Sequence, residues 1–280
     1  MRDRFHDRMA ARMSAAPAAG AAAHSYGADP LQTLDFWRPD HAAGATPVIV
    51  FVHGGGWKRG DKDNATGAAK VQHLVAEGFA VASIDYRLVP AATVEQQAED
   101  VSSALRWLRT NAGKLGLDPA RMILMGHSAG AHLVALVGTD PRYLQVAGMT
   151  LNDLRGVIAL DGACYDVPRQ IADGGSFMHD TYIQAFGNDP ARQKALSPTL
   201  HAASPNAPAF LILHVDRADG KVQSEALAAA LEAAGTEVEL HGFDGKGLRG
   251  HMAINRDLGL PDYPATPVVD AWIKRTLAAS

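Results

Sequence analysis

The chain has 280 residues, with 26 Lys and Arg, 30 Asp and Glu and a formal net charge of −4. It therefore lacks the basic excess by which proteins bind nucleic acid. Hydrophobic residues make up 47% of the chain, enough for one large core, and no apolar run is long enough to span a membrane. The single cysteine, Cys164, excludes an intramolecular disulfide and favours a reducing, cytoplasmic location.

The first 30 residues differ in composition from the rest. Phe5, Met9 and Met13 recur every four residues, a spacing that predicts one apolar face of a short helix. Residues 15–23 are rich in alanine and less apolar than the core of a secretory signal peptide. We therefore expect residues 1–30 to be either a cap over a site mouth or a loose segment, and residues 31–280 to form one domain.

From residue 33 onward, apolar runs alternate with helical patterns. This alternation predicts a parallel sheet flanked by helices, with functional residues at the carboxyl ends of the strands. Residues 163–207 break the rhythm and predict a small lid insertion. The predicted strands are 33–37, 48–52, 79–86, 122–125, 156–160, 210–215 and 238–243; the predicted helices are 68–77, 94–111, 131–138, 222–234 and 264–278.

A Gly-x-Ser-x-Gly motif follows the strand at 122–125. Gly126 and Gly130 flank Ser128 at two residues on either side, where a tight strand-to-helix turn leaves no room for a Cβ. Such a turn exposes the serine hydroxyl and directs the amide of Ala129 toward a developing negative charge. Ser128 is therefore the predicted nucleophile.

A second motif, His53-Gly54-Gly55-Gly56-Trp57, follows the strand at 48–52. Consecutive glycines leave backbone amides unshielded, so that an oxyanion can approach them closely. A phosphate-binding loop would end in Gly-Lys-Ser or Gly-Lys-Thr, which Trp57-Lys58-Arg59 does not supply.

The two motifs together resemble those of the α/β-hydrolase carboxylesterases, near the hormone-sensitive-lipase and kynurenine-formamidase branches. The resemblance covers residues 31–278. It implies an α/β-hydrolase fold, with a mostly parallel central sheet flanked by helices and a small lid insertion at about 163–207. It also implies that the amides of Gly55, Gly56 and Ala129 form an oxyanion hole.

The order nucleophile, acid, histidine is expected for this fold. Asp216 directly follows the strand at 210–215, whereas Asp219 precedes Gly220 and a helix and suits a turn or an N-cap. The family more often has His-Gly-x-x-Asp here, and His214-Val215-Asp216 is a shorter spacing. We predict that Asp216 is the acid.

Two histidines compete for the role of base. His251 follows a glycine-rich loop at 245–250, from which its imidazole can reach Ser128, and Gly250-His251 resembles the catalytic histidine of the family. His241 lies inside a predicted strand and is expected to pack there. We predict His251 as the base, and structural roles for the remaining candidates His53, His127 and His132.

These residues predict a serine carboxylesterase that acts on a small-molecule ester through an acyl-enzyme. An arylformamidase would use the same groups on a formamide and remains an alternative, whereas a non-catalytic ligand-binding relative would not need the intact set. No spacing typical of a metal site occurs, so neither a metal nor a cofactor is expected. The oligomeric state, monomer or homodimer, stays open.

The lid insertion bears on the substrate. Its apolar side chains either line an acyl or alcohol pocket or only pack the lid; they are Phe177, Met178, Tyr182 and Phe186. Its polar residues Arg169, Asp173, His179 and Asp180 give it little surface with which to enclose a long chain. We therefore expect short acyl groups, from acetyl to hexanoyl.

Overall fold

The described part of the chain is organised around an eight-stranded sheet. The structure is a computed structural model that describes residues 18–40, 42, 44–63, 66–173, 175–203 and 205–279, with residues 175–177 as backbone only. The strands are β1 Ala22–Ser25, β2 Thr33–Trp37, β3 Thr46–Val52, β4 Ala80–Ile84, β5 Leu117–His127, β6 Gly156–Leu160, β7 Ala209–Asp216 and β8 Glu237–Lys246.

The strands are arranged in the order β1-β2-β4-β3-β5-β6-β7-β8. The pairs β1–β2 and β2–β4 are antiparallel, and all the others are parallel. The predicted α/β-hydrolase fold, with its mostly parallel sheet, is confirmed.

Helices cover both faces of the sheet. The described helices are α1 Ala68–Ala76, α2 Val94–Thr110, α3 Ala112–Leu115, α4 Ala129–Thr139, α5 Pro141–Val146, α6 Val167–Asp173, α7 Gly175–Phe186, α8 Pro190–Ala195, α9 Pro198–His201, α10 Ala218–Ala233, α11 Gly247–Arg256 and α12 Ala265–Ala278. None of the described helices is long and apolar enough to cross a bilayer.

The central strands are apolar on both sides because each side is covered. In β5, Met122 and Leu124 pack with α2, α4 and α10, while Ile123 and Met125 pack with α1 and α12. Side chains along a strand alternate between the two faces, so one continuous apolar run supplies both halves of the core.

Two elements differ from the sequence prediction. β1 forms from residues that we expected to be a cap or a loose segment, because it pairs with β2 at the edge of the sheet. Residues 245–250 do not form a loop: β8 continues to Lys246 and α11 begins at Gly247. The insertion contains the short helices α6 to α9.

The described chain begins near the amino-terminal ends of the parallel strands, whereas Ser128 lies at their carboxyl ends. β2 is antiparallel to β4, so its last residue, Trp37, pairs with Val81 near the start of β4. The Trp37 indole donates a hydrogen bond to the carbonyl of Ala19 at 2.9 Å. The predicted cap residues Phe5, Met9 and Met13 lie outside the described residues, and their role stays a prediction.

The turn at Ser128 depends on Gly130, and substitution there tests the packing. A Cβ on Gly130 would lie 2.5 Å from the carbonyl oxygen of His53 and overlap that of Val52. We expect Gly130→Ala to lower the free energy of unfolding by about 1–3 kcal/mol. The control is Gly113→Ala in α3, where an added Cβ meets nothing within 4 Å and should stabilise by about 0.5–1 kcal/mol. Denaturant unfolding measures both, and equal stability of Gly130→Ala and the parent protein would contradict this packing.

Candidate active site

Ser128 lies on a sharp turn between β5 and α4. Its φ of 56° and ψ of −118° fall outside the regions that most L-residues adopt, and α4 begins at the next residue. The Ser128 amide donates to the carbonyl of Leu160 at 3.0 Å, which fixes the turn against the end of β6. This strained backbone presents the hydroxyl at the carboxyl edge of the sheet.

His251 lies within hydrogen-bond distance of the serine. Its Nε2 is 3.0 Å from Ser128 Oγ, and its Nδ1 is 2.5 Å from Asp161 Oδ2. A Nδ1–H that donates to the carboxylate leaves Nε2 free to accept the proton of the hydroxyl. The structure therefore brings His251, the predicted base, within reach of Ser128, although His251 projects from helix α11 rather than from a loop.

The carboxylate beside His251 is Asp161 and not Asp216, so the prediction of Asp216 as the acid is wrong in this geometry. Asp161 follows β6 directly and is fully buried, with an exposed fraction of 0%. Its Oδ1 accepts a hydrogen bond from the Val215 amide at 3.1 Å. Asp216, at the end of β7, is exposed to solvent.

Asp219 is not the partner of His251 either. It lies in the first turn of α10, and its Oδ2 accepts hydrogen bonds from Arg217 at 2.7 Å and from Gln170 at 3.3 Å. The expectation that Asp219 suits the beginning of a helix agrees with this position, although the N-cap residue itself is Arg217.

The surroundings of Asp161 keep its carboxylate ionised. Burial by itself acts to raise the pKa of this group, but the hydrogen bond and charge of His251 and the charge of Arg217 outweigh it. The pKa of Asp161 is therefore held well below its ordinary value. An ionised carboxylate at this position fixes the His251 tautomer and stabilises the imidazolium that forms when His251 takes a proton.

One feature of the sequence could have indicated Asp161. An acidic residue follows a buried strand and precedes a glycine, in Leu160-Asp161-Gly162. Asp216 also follows a buried strand, the next one along the chain, although Arg217 and not a glycine comes after it. The family resemblance directed the prediction to this later strand. Only the position of α11 relative to β6 and β7 decides between the two carboxylates.

The glycine-rich loop packs directly against the turn at Ser128. A Cβ on Gly54 would lie 3.0 Å from the Cβ of Ser128. Gly55 and Gly56 have φ values of 124° and 61°, in the region that favours glycine. The Trp57 carbonyl accepts hydrogen bonds from Gln97 Nε2 at 2.7 Å and from the Val89 amide at 3.0 Å, which anchor the loop.

The lid packs on the glycine-rich loop through aromatic rings. Trp57 contacts Phe186 with ring centroids 4.8 Å apart and Tyr182 with centroids 6.2 Å apart. Both side chains are buried, and Met178 packs against the same core. Of the four apolar residues predicted in the lid, these three serve packing, and the Phe177 side chain lies outside the described part of the structure.

The other histidines near Ser128 are held by structural hydrogen bonds. His127 pairs through Nε2 with the carbonyl of His251 at 2.8 Å. Burial lowers the pKa of His127 well below its ordinary value, which keeps the ring neutral. His132 accepts a bond from the Trp57 indole at 3.3 Å and donates to the Leu196 carbonyl at 2.8 Å, and burial lowers its pKa to about 4. Neither ring is paired as a base for Ser128.

A buried lysine supports the helix that carries His251. Lys70 Nζ donates to Asn255 Oδ1 on α11 at 2.5 Å and to the Thr66 carbonyl at 2.7 Å. The ammonium also lies 3.9 Å from the centroid of the Phe51 ring. Burial lowers the pKa of Lys70 well below its ordinary value. These contacts tie α11 to α1 and so help to hold His251 in place.

Comparisons with known proteins show the family of this chain. A family model described as BD-FAE matches residues 34–231, a range that includes Ser128, Asp161, Asp216 and Asp219 but not His251. Esterase LipC of Mycobacterium tuberculosis is 32% identical over 201 residues, which are 69% of this chain and 49% of that protein. Isoprenylcysteine alpha-carbonyl methylesterase ICME of Arabidopsis thaliana is 27% identical over 79% of this chain and 54% of that protein.

The fold is also that of solved esterase structures. The crystal structure of esterase B from Lactobacillus Rhamnosis (HN001) matches with a TM-score of 0.75 at 22% identity, over 99% of this chain and 90% of that one. The predicted resemblance to α/β-hydrolase carboxylesterases is thereby confirmed. The chain spans about half the length of the two curated relatives.

Proposed function

This chain belongs to the BD-FAE family, and from that premise we propose that it is a serine carboxylesterase with Ser128 as its nucleophile. The observation that carries the proposal is the chain of hydrogen bonds from Ser128 through His251 to Asp161. A neutral imidazole between a hydroxyl and an ionised carboxylate is the arrangement that activates serine for acyl transfer.

The proposed reaction has two steps that balance in protons. Ser128 Oγ attacks the ester carbonyl while His251 Nε2 takes the hydroxyl proton, and His251 then gives that proton to the departing alcohol. Water enters, loses a proton to His251 and attacks the acyl-enzyme. The carboxylic acid leaves, and Ser128 regains its proton. Asp161 stays ionised throughout and stabilises the transient imidazolium.

The negative charge that develops on the carbonyl oxygen needs hydrogen-bond donors. We assign this role to the backbone amides of Gly55, Gly56 and Ala129. Two features support the assignment. Gly54 packs against Ser128, and Ala129 is the first residue of helix α4, whose N-terminus favours negative charge. Donors fixed in this way need no reorganisation when the oxyanion forms.

The packing of α7 favours short acyl groups. A Cβ on Gly56 would lie 3.0 Å from Cγ2 of Thr181 on α7, so the lid packs directly against the glycine-rich loop. Tyr182 and Phe186 fill the space beside Trp57. Each buried methylene of a substrate gains about 0.8 kcal/mol only while the pocket encloses it. A short pocket ends that gain after a few carbons.

An ester series tests this substrate range. We expect kcat/KM for p-nitrophenyl esters to peak between acetyl and hexanoyl and to fall at least about tenfold by dodecanoyl. Thr181→Ala should move the optimum to longer chains, whereas Thr181→Val keeps the methyl group that faces Gly56 and should leave it in place. A preference for palmitoyl esters with activation at an oil interface would contradict the proposal.

The same panel addresses the alternatives. N-formylkynurenine is included because a formyl group fits a small acyl pocket and an arylformamidase would hydrolyse it faster than any ester. Hydrolysis of none of these compounds would count against the esterase proposal and favour the non-catalytic, ligand-binding alternative.

A further inference from the structure

An arginine shares the carboxylate of Asp161 with His251. Arg217 Nε donates to Asp161 Oδ2 at 3.2 Å, and His251 Nδ1 lies 2.5 Å from the same oxygen. The serine–histidine–carboxylate arrangement needs no such cation, and a positive charge here opposes the formation of a second one on the imidazole. Arg217 is therefore coupled to His251 through the carboxylate that they share.

Further hydrogen bonds and close packing fix the guanidinium of Arg217 in this position. Its Nη2 donates to the Gly162 carbonyl at 3.0 Å, and its Nη1 donates to Asp219 Oδ2 at 2.7 Å. A Cβ on Gly220 would lie 2.7 Å from Nη2 of Arg217, so the absence of a side chain at residue 220 makes room for the guanidinium. Only 19% of the Arg217 side chain is exposed.

Asp219 balances the charge that Arg217 introduces. Asp161, Arg217 and Asp219 together carry one net negative charge, as a lone Asp161 would. Gln170 holds Asp219 through its amide at 3.3 Å, so the second carboxylate is fixed as well. Elementary electrostatics gives the two charges opposite effects: a guanidinium opposes a second positive charge on the imidazole that shares its carboxylate, and a further carboxylate favours one.

We propose that Arg217 and Asp219 are positioning residues that set, in opposite directions, the pH above which His251 serves as the base. The inference rests on the proposed acyl transfer at Ser128. It concerns the reaction's dependence on pH and not the identity of the ester.

Other titratable groups face this cluster from neighbouring elements. The His127 ring on β5 lies 4.5 Å from the His251 ring, and the charge of Lys70 on α1 acts on His127. Burial raises the pKa of the surrounding hydroxyls and of the thiol, which keeps them uncharged near neutral pH; they are Cys164, Tyr165, Tyr182 and Tyr263. These groups are the same in every variant below, so shifts between variants report the changed charge.

The test is the pH profile of kcat/KM on a neutral acetyl ester, which reports the groups of the free enzyme. Arg217→Gln removes the positive charge and should move the acidic limb to higher pH by about one unit. Asp219→Asn removes a negative charge and should move it to lower pH by about half a unit. Arg217→Lys keeps the charge and should return the limb toward that of the parent.

The controls separate charge from structure. Asp216→Asn makes the same change in net charge as Asp219→Asn, at an exposed residue three positions earlier in the sequence, and should leave the acidic limb in place. If Arg217→Gln lowers the rate equally at all pH values, or if Arg217→Gln and Asp219→Asn move the limb in the same direction, the inference is overturned. If Arg217→Gln does not fold, the downward shift with Asp219→Asn decides.

Failure of the proposed function would give different results from failure of this inference. In that case the parent protein hydrolyses no ester, or Ser128→Ala hydrolyses it as fast as the parent. Serine-dependent hydrolysis with an unmoved acidic limb overturns the role of Arg217 and Asp219 alone.

Discussion

Ser128→Ala is expected to lower kcat/KM for short esters by about 10⁴-fold or more, because it removes the oxygen that forms the covalent bond to the substrate in the proposed mechanism. The residual rate would come from the oxyanion hole and from substrate binding. The hydroxyl makes its described hydrogen bond to His251, so its loss should change the melting temperature little. A folded Ser128→Ala protein with turnover near that of the parent would exclude Ser128 as the nucleophile.

Covalent labelling supplies an independent measurement of the same assignment. A p-nitrophenyl phosphonate should transfer its phosphonyl group to the parent protein once and release p-nitrophenol, and peptide mapping should find the phosphonyl adduct on Ser128. Ser197→Ala is a matched control, because Ser197 is buried and bonded to backbone groups of the lid. Labelling should persist in that variant and disappear in Ser128→Ala. An adduct on another residue would overturn the assignment.

Asp161→Asn is expected to lower kcat/KM by about 10⁴-fold, because the amide favours the wrong tautomer of His251 and cannot stabilise the imidazolium. Arg217 keeps Asp219 as its partner in this variant, so we expect the protein to fold, with reduced stability. Activity is therefore measured well below the melting temperature of the variant, which is determined in parallel.

Asp216→Asn is the matched comparison for Asp161→Asn. Its carboxylate is exposed at the end of β7, and a surface substitution of this kind changes stability by less than about 0.5 kcal/mol. Turnover should stay within about twofold of the parent. If instead Asp216→Asn abolishes turnover and Asp161→Asn does not, the sequence-based assignment would be correct and the assignment from the structure wrong.

Much of the fold could be predicted because its signals are local. The buried strands carry unbroken apolar runs, and the turn at Ser128 needs the glycines at 126 and 130 whatever surrounds it. The glycine-rich loop is similar: Gly55 and Gly56 adopt positive φ values, which the run of glycines itself suggests. Backbone conformation at such positions depends mainly on the residues themselves.

The elements that were missed depend on distant partners. β1 has little apolar character and forms because β2 offers it an edge for pairing. The glycine-rich stretch 245–250 was expected to be a loop, but helix α11 forms through part of it. Ile254 of that helix packs into the core and Asn255 accepts a bond from buried Lys70. Tertiary contacts outweigh the weak helix propensity of glycine there.

The sequence by itself determined the fold class, the candidate nucleophile and the candidate base, since each follows from a motif or a period within a short stretch. Only the tertiary structure decided which carboxylate completes the site. Asp161 and Asp216 both end buried strands, and 90 residues separate Asp161 from His251. The choice between them depends on how α11 is placed above neighbouring strands, and that placement comes from long-range packing, which no local pattern encodes.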